Sequence, residues 1–183
     1  MTNIVQNGNP VLRKVAKEVP ILDITKPKIV KILTDMKKAL HSQDDGVAIA
    51  APQIGVSYRI FIVSGRIFEE DFIRGKNPNA VNSLKIKKVH PDLVFINPIF
   101  KKISKDRKLL AEGCLSVRPL YGKVRRATKA TMEAYDEHGK KFSKDGVGLL
   151  AHIFQHETDH LDGILFIDKA KDIHESTSEE EYN

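Results

Sequence analysis

The chain has 183 residues, of which 41% are hydrophobic and 30% charged, and its formal net charge is +6 at pH 7. This length suits one domain that buries roughly two-thirds of its unfolded surface around a single core, and it leaves no room for a second full domain. The composition excludes the disordered and membrane classes, because no segment approaches ~20 continuous apolar residues.

The positive charge is spread along the chain. Small clusters occur at Lys85, Lys87 and Lys88 and at Lys101 and Lys102. A basic surface raises encounter rates with polyanions such as ribosomal RNA, but no helix-turn-helix, zinc-finger or RNP motif is present. We therefore expect solvated lysines and no sequence-specific nucleic-acid binding.

The amino-terminal residues 1–8 have neither the basic start nor the apolar stretch of a secretory signal. Cys114 is the single cysteine, so no intramolecular disulfide can form, as is usual in a reducing compartment. These features predict a cytoplasmic protein that contacts no membrane.

An amphipathic helix is predicted to begin at Pro27, with Thr25 as its cap and the Asp44-Asp45-Gly46 cluster as its end. Its apolar residues recur at helical spacing, and we expect them to cover one side of the core. They are Ile29, Ile32, Leu33, Met36 and Leu40.

Two short buried strands are predicted next, at Arg59–Ser64 and Leu93–Asn97, because both segments are rich in β-branched and aromatic residues. Between them the hydrophobic periodicity is lost, and Gly, Asn, Pro and Lys become frequent. We interpret residues 65–92 as an exposed insertion loop that the fold tolerates.

A half-buried strand is predicted where Thr128, Ala130, Met132 and Ala134 alternate with more polar residues, and His138-Gly139 then predicts a hairpin turn. A second helix follows, with a stop at Gly163. Its helically spaced apolar residues are Val147, Leu150, Ile153, Phe154 and Leu161.

These elements predict an α+β fold: a compact single domain of short, mainly antiparallel strands around a central helix. We expect this domain to span residues 1–170. Residues 171–183 form a polar, acidic tail that lacks the apolar content to pack and is expected to be disordered.

The second helix carries the segment His156-Glu157-Thr158-Asp159-His160. Residues four apart lie on one helix face, so His156 and His160 can direct imidazole nitrogens at one ion. Glu157 projects about 100° around the helix from His156, near the ion, where a general base is needed.

A tetrahedral catalytic ion uses three protein ligands and a water, so one ligand is missing. His152 is excluded, because it lies ~12 Å of helical rise from His160. Cys114 is the better candidate, although a lone cysteine more often packs as a small hydrophobe. Gly113 lets the backbone approach closely, and a thiolate is a strong ligand for zinc or ferrous iron.

Three ordered segments resemble the motifs of the peptide deformylase family. They are Gly46-Val47-Ala48-Ile49-Ala50-Ala51-Pro52-Gln53, Glu112-Gly113-Cys114-Leu115-Ser116 and Gln155-His156-Glu157-Thr158-Asp159-His160. The likeness extends from Gly8 to about Asp168, and three motifs in this order are far more specific than any one of them.

The resemblance implies a metal-dependent hydrolase that removes the N-formyl group from the N-terminal formylmethionine of newly synthesised proteins. It implies Fe²⁺ as the metal, with Zn²⁺, Ni²⁺ or Co²⁺ as substitutes, held by Cys114, His156 and His160. N-formylmethionyl nascent peptides would be the substrates, met near the ribosomal tunnel exit, in a bacterial cytoplasm or an organellar matrix.

The same resemblance assigns roles to further residues. Glu157 would act as general base and then acid, while the Gln53 side-chain amide and the Leu115 backbone N–H would stabilise the oxyanion. Asp159 and Asp162 are candidates for bonding the far ring nitrogens of the metal-binding histidines.

Val47, Ala48 and Gly113 would bind the peptide. Ala48 departs from the family pattern, which has glycine there, and its Cβ could crowd the substrate backbone. Arg118-Pro119 also departs, and it changes the shape and charge of the cleft rim.

Two other functions fit parts of the sequence. A zinc endopeptidase also uses the HExxH pattern, although the thiolate and the lack of a downstream third ligand argue against it. A non-catalytic binding protein on the same fold is the other alternative, supported by Ala48.

Overall fold

The computed structural model describes residues 3–69, 72 and 90–175. Within these ranges the chain forms two α-helices, α1 (Pro27–His41) and α2 (Leu149–Leu161), and eight strands. The strands are β1 (Ala48–Ala50), β2 (Ile60–Val63), β3 (Leu93–Ile103), β4 (Arg107–Gly113), β5 (Leu120–Ala127), β6 (Lys129–Tyr135), β7 (Lys141–Val147) and β8 (Lys171–Glu175). No helix in these ranges has the length and apolar character needed to cross a membrane.

The strands form two antiparallel sheets, a five-stranded one in the order β1-β2-β3-β6-β7 and a three-stranded one in the order β4-β5-β8. The predicted α+β class is therefore confirmed. Both β1 and β4 are edge strands of their sheets. No strand of the described ranges pairs with the outer side of either, and an extended chain could pair there.

Helix α1 has the predicted buried face, and it packs on the five-stranded sheet through Ile49, Ile60 and Ile62. The predicted cap is wrong, because Lys26 occupies the N-cap position without a side-chain hydrogen bond. The helix also ends at His41, before the acidic cluster. The apolar face is sufficient to hold the helix without a side-chain cap.

Strand β3 continues past the predicted end at Asn97. Pro98 would normally end a strand, but the register with β6 shifts between Ile96 and Ile99, and this irregularity accommodates it. Asn97 adopts φ 51°, and its side chain bonds both the N–H and the C=O of Val19 at 2.8 Å. These bonds stabilise a conformation that the sequence pattern does not reveal.

Helix α2 is central, as predicted, although Val147 belongs to β7 and is 64% exposed. Phe154 of α2 packs edge-on against Phe95 at 5.2 Å between ring centroids, and Phe95 stacks on Phe61 at 4.6 Å. The aromatic contacts fix α2 against β2 and β3. The predicted turn at His138-Gly139 joins β6 to β7, with Gly139 at φ 76°.

Two predictions about irregular segments need correction. Residues 171–175 are not a disordered tail but form β8, which pairs with β5 through backbone hydrogen bonds that need no apolar side chains. Gly65–Phe68 form a 3₁₀ helix rather than an exposed loop, and Ile67 and Phe68 pack against the core. The remainder of both segments, residues 70–71, 73–89 and 176–183, lies outside the described residues.

Candidate metal centre

Helix α2 places two imidazoles side by side, because His156 and His160 lie four residues apart on one face. Their ring centroids are 5.0 Å apart and the rings are tilted by 77°. His160 is 1% exposed, and the side chain of His156 is 13% exposed. Apolar packing of α2 therefore holds both rings in a largely dry site.

Cys114 directly follows β4 of the three-stranded sheet and lies next to these two rings. Its Sγ lies 3.2 Å from Nε2 of His160 and accepts a hydrogen bond from the backbone N–H of Ser116 at 3.4 Å. The ligand atoms of Cys114, His156 and His160 all lie within 4.8 Å of one another. One thiolate and two imidazoles fit a zinc or ferrous ion.

Glu157 lies beside this group and is 3% exposed. Its Oε2 is buried and has no hydrogen-bond partner among the described residues. Burial raises the pKa of Glu157 to about 7, and the nearby negative charge of Glu112 adds to the rise. A carboxyl with such a pKa can both accept and return a proton near neutrality.

The pKa values of the two imidazoles are shifted in opposite directions. Burial lowers the pKa of His160 well below its ordinary value. For His156 burial acts in the same direction, but hydrogen bonds with Cys114 and Glu112 outweigh it and hold the pKa well above the ordinary value. His160 is therefore ready to bind a cation as a neutral ring, whereas His156 must lose a proton first.

The carboxylate of Glu112 forms a hydrogen bond with the ring of His156. Its Oε2 lies 2.9 Å from Nδ1 of His156, and its Oε1 lies 2.8 Å from Nε2 of His152. The guanidinium of Arg126 donates to both carboxylate oxygens, from Nε at 2.6 Å and from Nη2 at 3.0 Å. Burial raises the pKa of Glu112, but these three partners outweigh it and hold the pKa far below its usual range.

Neither aspartate predicted to support the histidines does so. Asp159 accepts from Arg126 at 2.7 Å and from Lys169 at 2.6 Å, while Asp162 accepts from Arg59 at 2.7 Å. Both side chains point to cations outside the imidazole pair. Among the described residues, Nδ1 of His160 has no hydrogen-bond partner.

Gln53 sits in the 3₁₀ helix Ala51–Ile54 and is 2% exposed. Its Oε1 accepts from the backbone N–H of Ala50 at 2.8 Å, which fixes the orientation of the amide. The Nε2 group then faces Cys114 Sγ at 3.5 Å and Ser116 Oγ at 3.2 Å. A donor is thus directed at Cys114, one of the three candidate ligands.

These residues line a pocket with a volume of about 820 Å³, counting its open mouth. Every predicted site residue except His160 contributes to its wall. The others are Val47, Ala48, Gln53, Gly113, Cys114, Leu115, His156 and Glu157. Leu149 and Ile153 of α2 supply an apolar side to the same pocket.

Comparison with known proteins agrees with the motifs. The model of the polypeptide deformylase family matches residues 1–176. A peptide deformylase of Desulfitobacterium hafniense is 40% identical over 169 residues, which cover 92% of this chain and 93% of the relative. The chain belongs to the peptide deformylase family. Peptide deformylases remove the N-formyl group from nascent proteins, and this is the reaction of the chain.

Other relatives and solved structures agree. Peptide deformylase 1A, chloroplastic/mitochondrial, of Arabidopsis thaliana is 38% identical over 170 residues, which cover 92% of this chain and 61% of the relative. The Met-Ala-Ser-bound class I type b peptide deformylase of Acinetobacter baumannii matches with a TM-score of 0.77 at 27% identity, covering 92% of this chain and 99% of that one. The Legionella pneumophila peptide deformylase matches with a TM-score of 0.74 at 33% identity, covering 94% of this chain and 87% of that one.

Sequence reasoning missed three contributors to this deformylase site. Glu112 directly precedes Gly113 and Cys114, and an acid beside a metal-binding motif is the signal that could have identified it. Arg126 gave no local signal, because it lies 14 residues from Glu112, on the neighbouring strand β5, and the two meet only in the folded sheet. Tyr121 lies opposite Gly113 in the pairing of β4 with β5, and its ring covers the glycine.

Proposed function

We propose that Cys114, His156 and His160 hold the catalytic ion of this deformylase and that Glu157 transfers the protons. The observation that carries the proposal is the convergence of the three ligand atoms within 4.8 Å beside a buried carboxyl whose pKa is raised to about 7. An ion bound there lowers the pKa of a coordinated water and polarises the formyl carbonyl.

Glu157 takes a proton from the attacking water and returns one to the leaving amine. Its unpartnered, buried Oε2 supports this role, because no described residue competes for the proton. The side-chain amide of Gln53 and the backbone N–H of Leu115 donate to the oxyanion that forms at the formyl carbon. The fixed orientation of the Gln53 amide supports the first of these assignments.

We propose ferrous iron as the physiological metal, with zinc, nickel or cobalt as substitutes. A thiolate places more electron density on the ion than a third nitrogen or a carboxylate would. This donor suits ferrous iron and also makes it sensitive to oxygen. The burial of Cys114, which is 9% exposed, limits direct attack on the sulfur itself.

The peptide is proposed to bind between the edges of the two sheets. Val47 and Ala48 line the pocket from the side of β1, and Gly113 lines it from the end of β4. The A. baumannii relative binds Met-Ala-Ser, and the apolar wall of Leu149 and Ile153 suits a methionine side chain. Ala48 is 6% exposed and packs in the core cluster, and it also lines this pocket, so the effect of its methyl group on peptide binding stays a prediction.

The proposed place of action is near the ribosomal tunnel exit, where formylated chains emerge. An exposed basic surface spans the end of β3 and the start of β4, and its charge suits ribosomal RNA. It consists of Lys101, Lys102, Lys105, Arg107 and Lys108. Such action belongs in a bacterial cytoplasm or an organellar matrix, and relatives from bacteria and from a chloroplast or mitochondrion support both.

The activity is tested with protein purified without oxygen and mixed with formyl-Met-Ala-Ser or with unformylated Met-Ala-Ser. We expect formate from the first peptide and no internal cleavage of either. Cleavage of internal bonds without formate would favour the endopeptidase. Binding of the peptide with neither product would favour a binding protein.

A further inference from the structure

An ion pair lies at the mouth of the metal pocket. Nη2 of Arg118 is 2.5 Å from Oδ1 of Asp45, and both residues line the pocket. Asp45 belongs to the segment between α1 and β1, whereas Arg118 follows Cys114 by four residues. The pair therefore joins the two segments between which the peptide is proposed to bind.

The backbone around this ion pair is fixed on both sides. Arg66 donates to the carbonyl of Asp44 at 2.8 Å and to that of Gly46 at 2.9 Å, on either side of Asp45. Val117 is 2% exposed, and its N–H bonds the carbonyl of Cys114 at 3.0 Å. The long side chain of Arg118 is thus the adjustable part of the pair, and it starts from a fixed point.

The pair itself is weak, because its two side chains remain 44% and 39% exposed. Solvent-exposed ion pairs contribute little to the free energy of folding, so a competing carboxylate can replace one partner with little loss of free energy. Arg118 is the only lysine or arginine among the described residues of the pocket wall. Without its charge, Asp45 would repel an acidic peptide at this part of the wall.

We propose that Arg118 is a specificity-determining residue that binds an acidic side chain at the second, third or fourth position of the formylated peptide. The substrate carboxylate takes the place of Asp45 on the guanidinium. An extended peptide advances ~3.3 Å per residue, so these positions lie within reach of a side chain anchored four residues from the metal ligand. The inference rests on the proposed peptide path between β1 and β4.

The test uses formyl-Met-Ala-Ser-Ala and versions with Glu or Lys at position two, three or four. For the wild type we expect kcat/KM to favour Glu over Lys by roughly 3- to 5-fold at one position or more, and the preference to shrink in about 0.5 M salt. Arg118→Ala should reduce the ratio to about 1 or below, and Arg118→Lys should retain part of it.

Asp45→Asn provides the complementary variant, because it removes the competing carboxylate and should increase the Glu preference. Arg125→Ala is the matched control, since Arg125 is exposed on β5 and does not line the pocket. It should leave the ratio unchanged. An equal ratio for the wild type and Arg118→Ala, with the parent peptide still turned over, would overturn the inference.

A second measurement separates this inference from the proposed catalytic site. If no variant releases formate from the parent peptide, calorimetric binding of the unformylated peptides still reports the Glu-to-Lys ratio. A Glu preference that Arg118→Ala abolishes would then support the role of Arg118 although deformylation had failed. A wild-type protein that binds both peptides equally would refute it.

Discussion

Glu112 and His156 form the hydrogen bond that links the metal site to the interior of the protein, with 2.9 Å between Oε2 and Nδ1. Because Nδ1 is engaged by the carboxylate, the other ring nitrogen, Nε2, is left for the ion. The same carboxylate neutralises Arg126, whose side chain is 4% exposed. Glu112 therefore bonds His156 and, together with Asp159, satisfies a buried cation.

Replacing Glu112 with Gln should weaken both functions. We expect metal affinity to fall about 10- to 100-fold. The free energy of unfolding should fall by about 1.5 to 3 kcal/mol, because hydrogen bonds between buried charged groups are weakened while Asp159 still pairs with Arg126. Metal titration and urea unfolding would measure these effects. Asp35→Asn is the control: it breaks a surface pair with Lys31 and should cost less than about 1 kcal/mol.

Replacing Glu157 with Gln should abolish most of the activity without removing the metal. Loss of a general base costs roughly 100- to 10,000-fold in kcat. Metal analysis should still give the wild-type content, since Glu157 is outside the ligand group. Full activity in this variant would mean that another group moves the proton.

The same substitution should change how stability depends on pH in the metal-free protein. The folded-state pKa of Glu157 is about 7, above the ordinary 4.5, so folding favours the protonated form. Relative to Glu157→Gln, the wild type should therefore lose roughly 3 kcal/mol of stability as pH rises from about 4.5 to about 7. Glu157→Gln lacks this loss and should be the more stable protein at pH 8. Parallel pH curves for both proteins would contradict this prediction.

Gly113 has to be glycine because of Tyr121. A Cβ at Gly113 would lie 2.5 Å from Cε1 of the tyrosine ring. Gly113→Ala should displace the ring into the pocket and reduce kcat/KM by about 10-fold or more, since small misplacements near the reacting atoms have large effects. The pair Gly113→Ala and Tyr121→Ala should be less harmful together than the sum of the two, and additive effects would contradict the contact.

Metal removal should destabilise the folded protein, because an ion that binds the native state stabilises it by mass action. We expect the melting temperature to fall by several degrees with a chelator and to recover when Fe²⁺ or Zn²⁺ is added. Cys114→Ala should show no such response. A Cys114→Ala protein that still gains stability from metal would place the ion elsewhere.

Much of the site could be predicted because its residues are local in sequence. His156, Glu157 and His160 share a helix, and the motif around Cys114 supplies a ligand type that few other residues offer. The supporting partners could not be predicted in this way. Glu112 reaches Arg126 only after β4 and β5 pair, and the ion pair of Asp45 with Arg118 joins segments 73 residues apart.

In the fold, too, some elements can be predicted from the local sequence and others cannot. Helix α1 and strand β6 follow from apolar periodicity, whereas β4, β5 and β8 do not, because their exposed faces carry Lys, Arg and Glu. Backbone pairing selects β8, whose five residues are all exposed, whereas β5 also buries Val124 and Ala127. The extension of β3 beyond Pro98 likewise depends on a shifted register that no local pattern encodes.

We propose that one ion, held by Cys114, His156 and His160, carries the hydrolysis of the formyl group. This is tested by titrating metal-free protein with Fe²⁺ under anaerobic conditions while measuring formate release from formyl-Met-Ala-Ser. We predict that activity rises from zero and reaches a plateau at one ion per chain, and that Cys114→Ala stays inactive in the same titration. Formate release by the metal-free protein, or a plateau that Cys114→Ala also reaches, would contradict the claim.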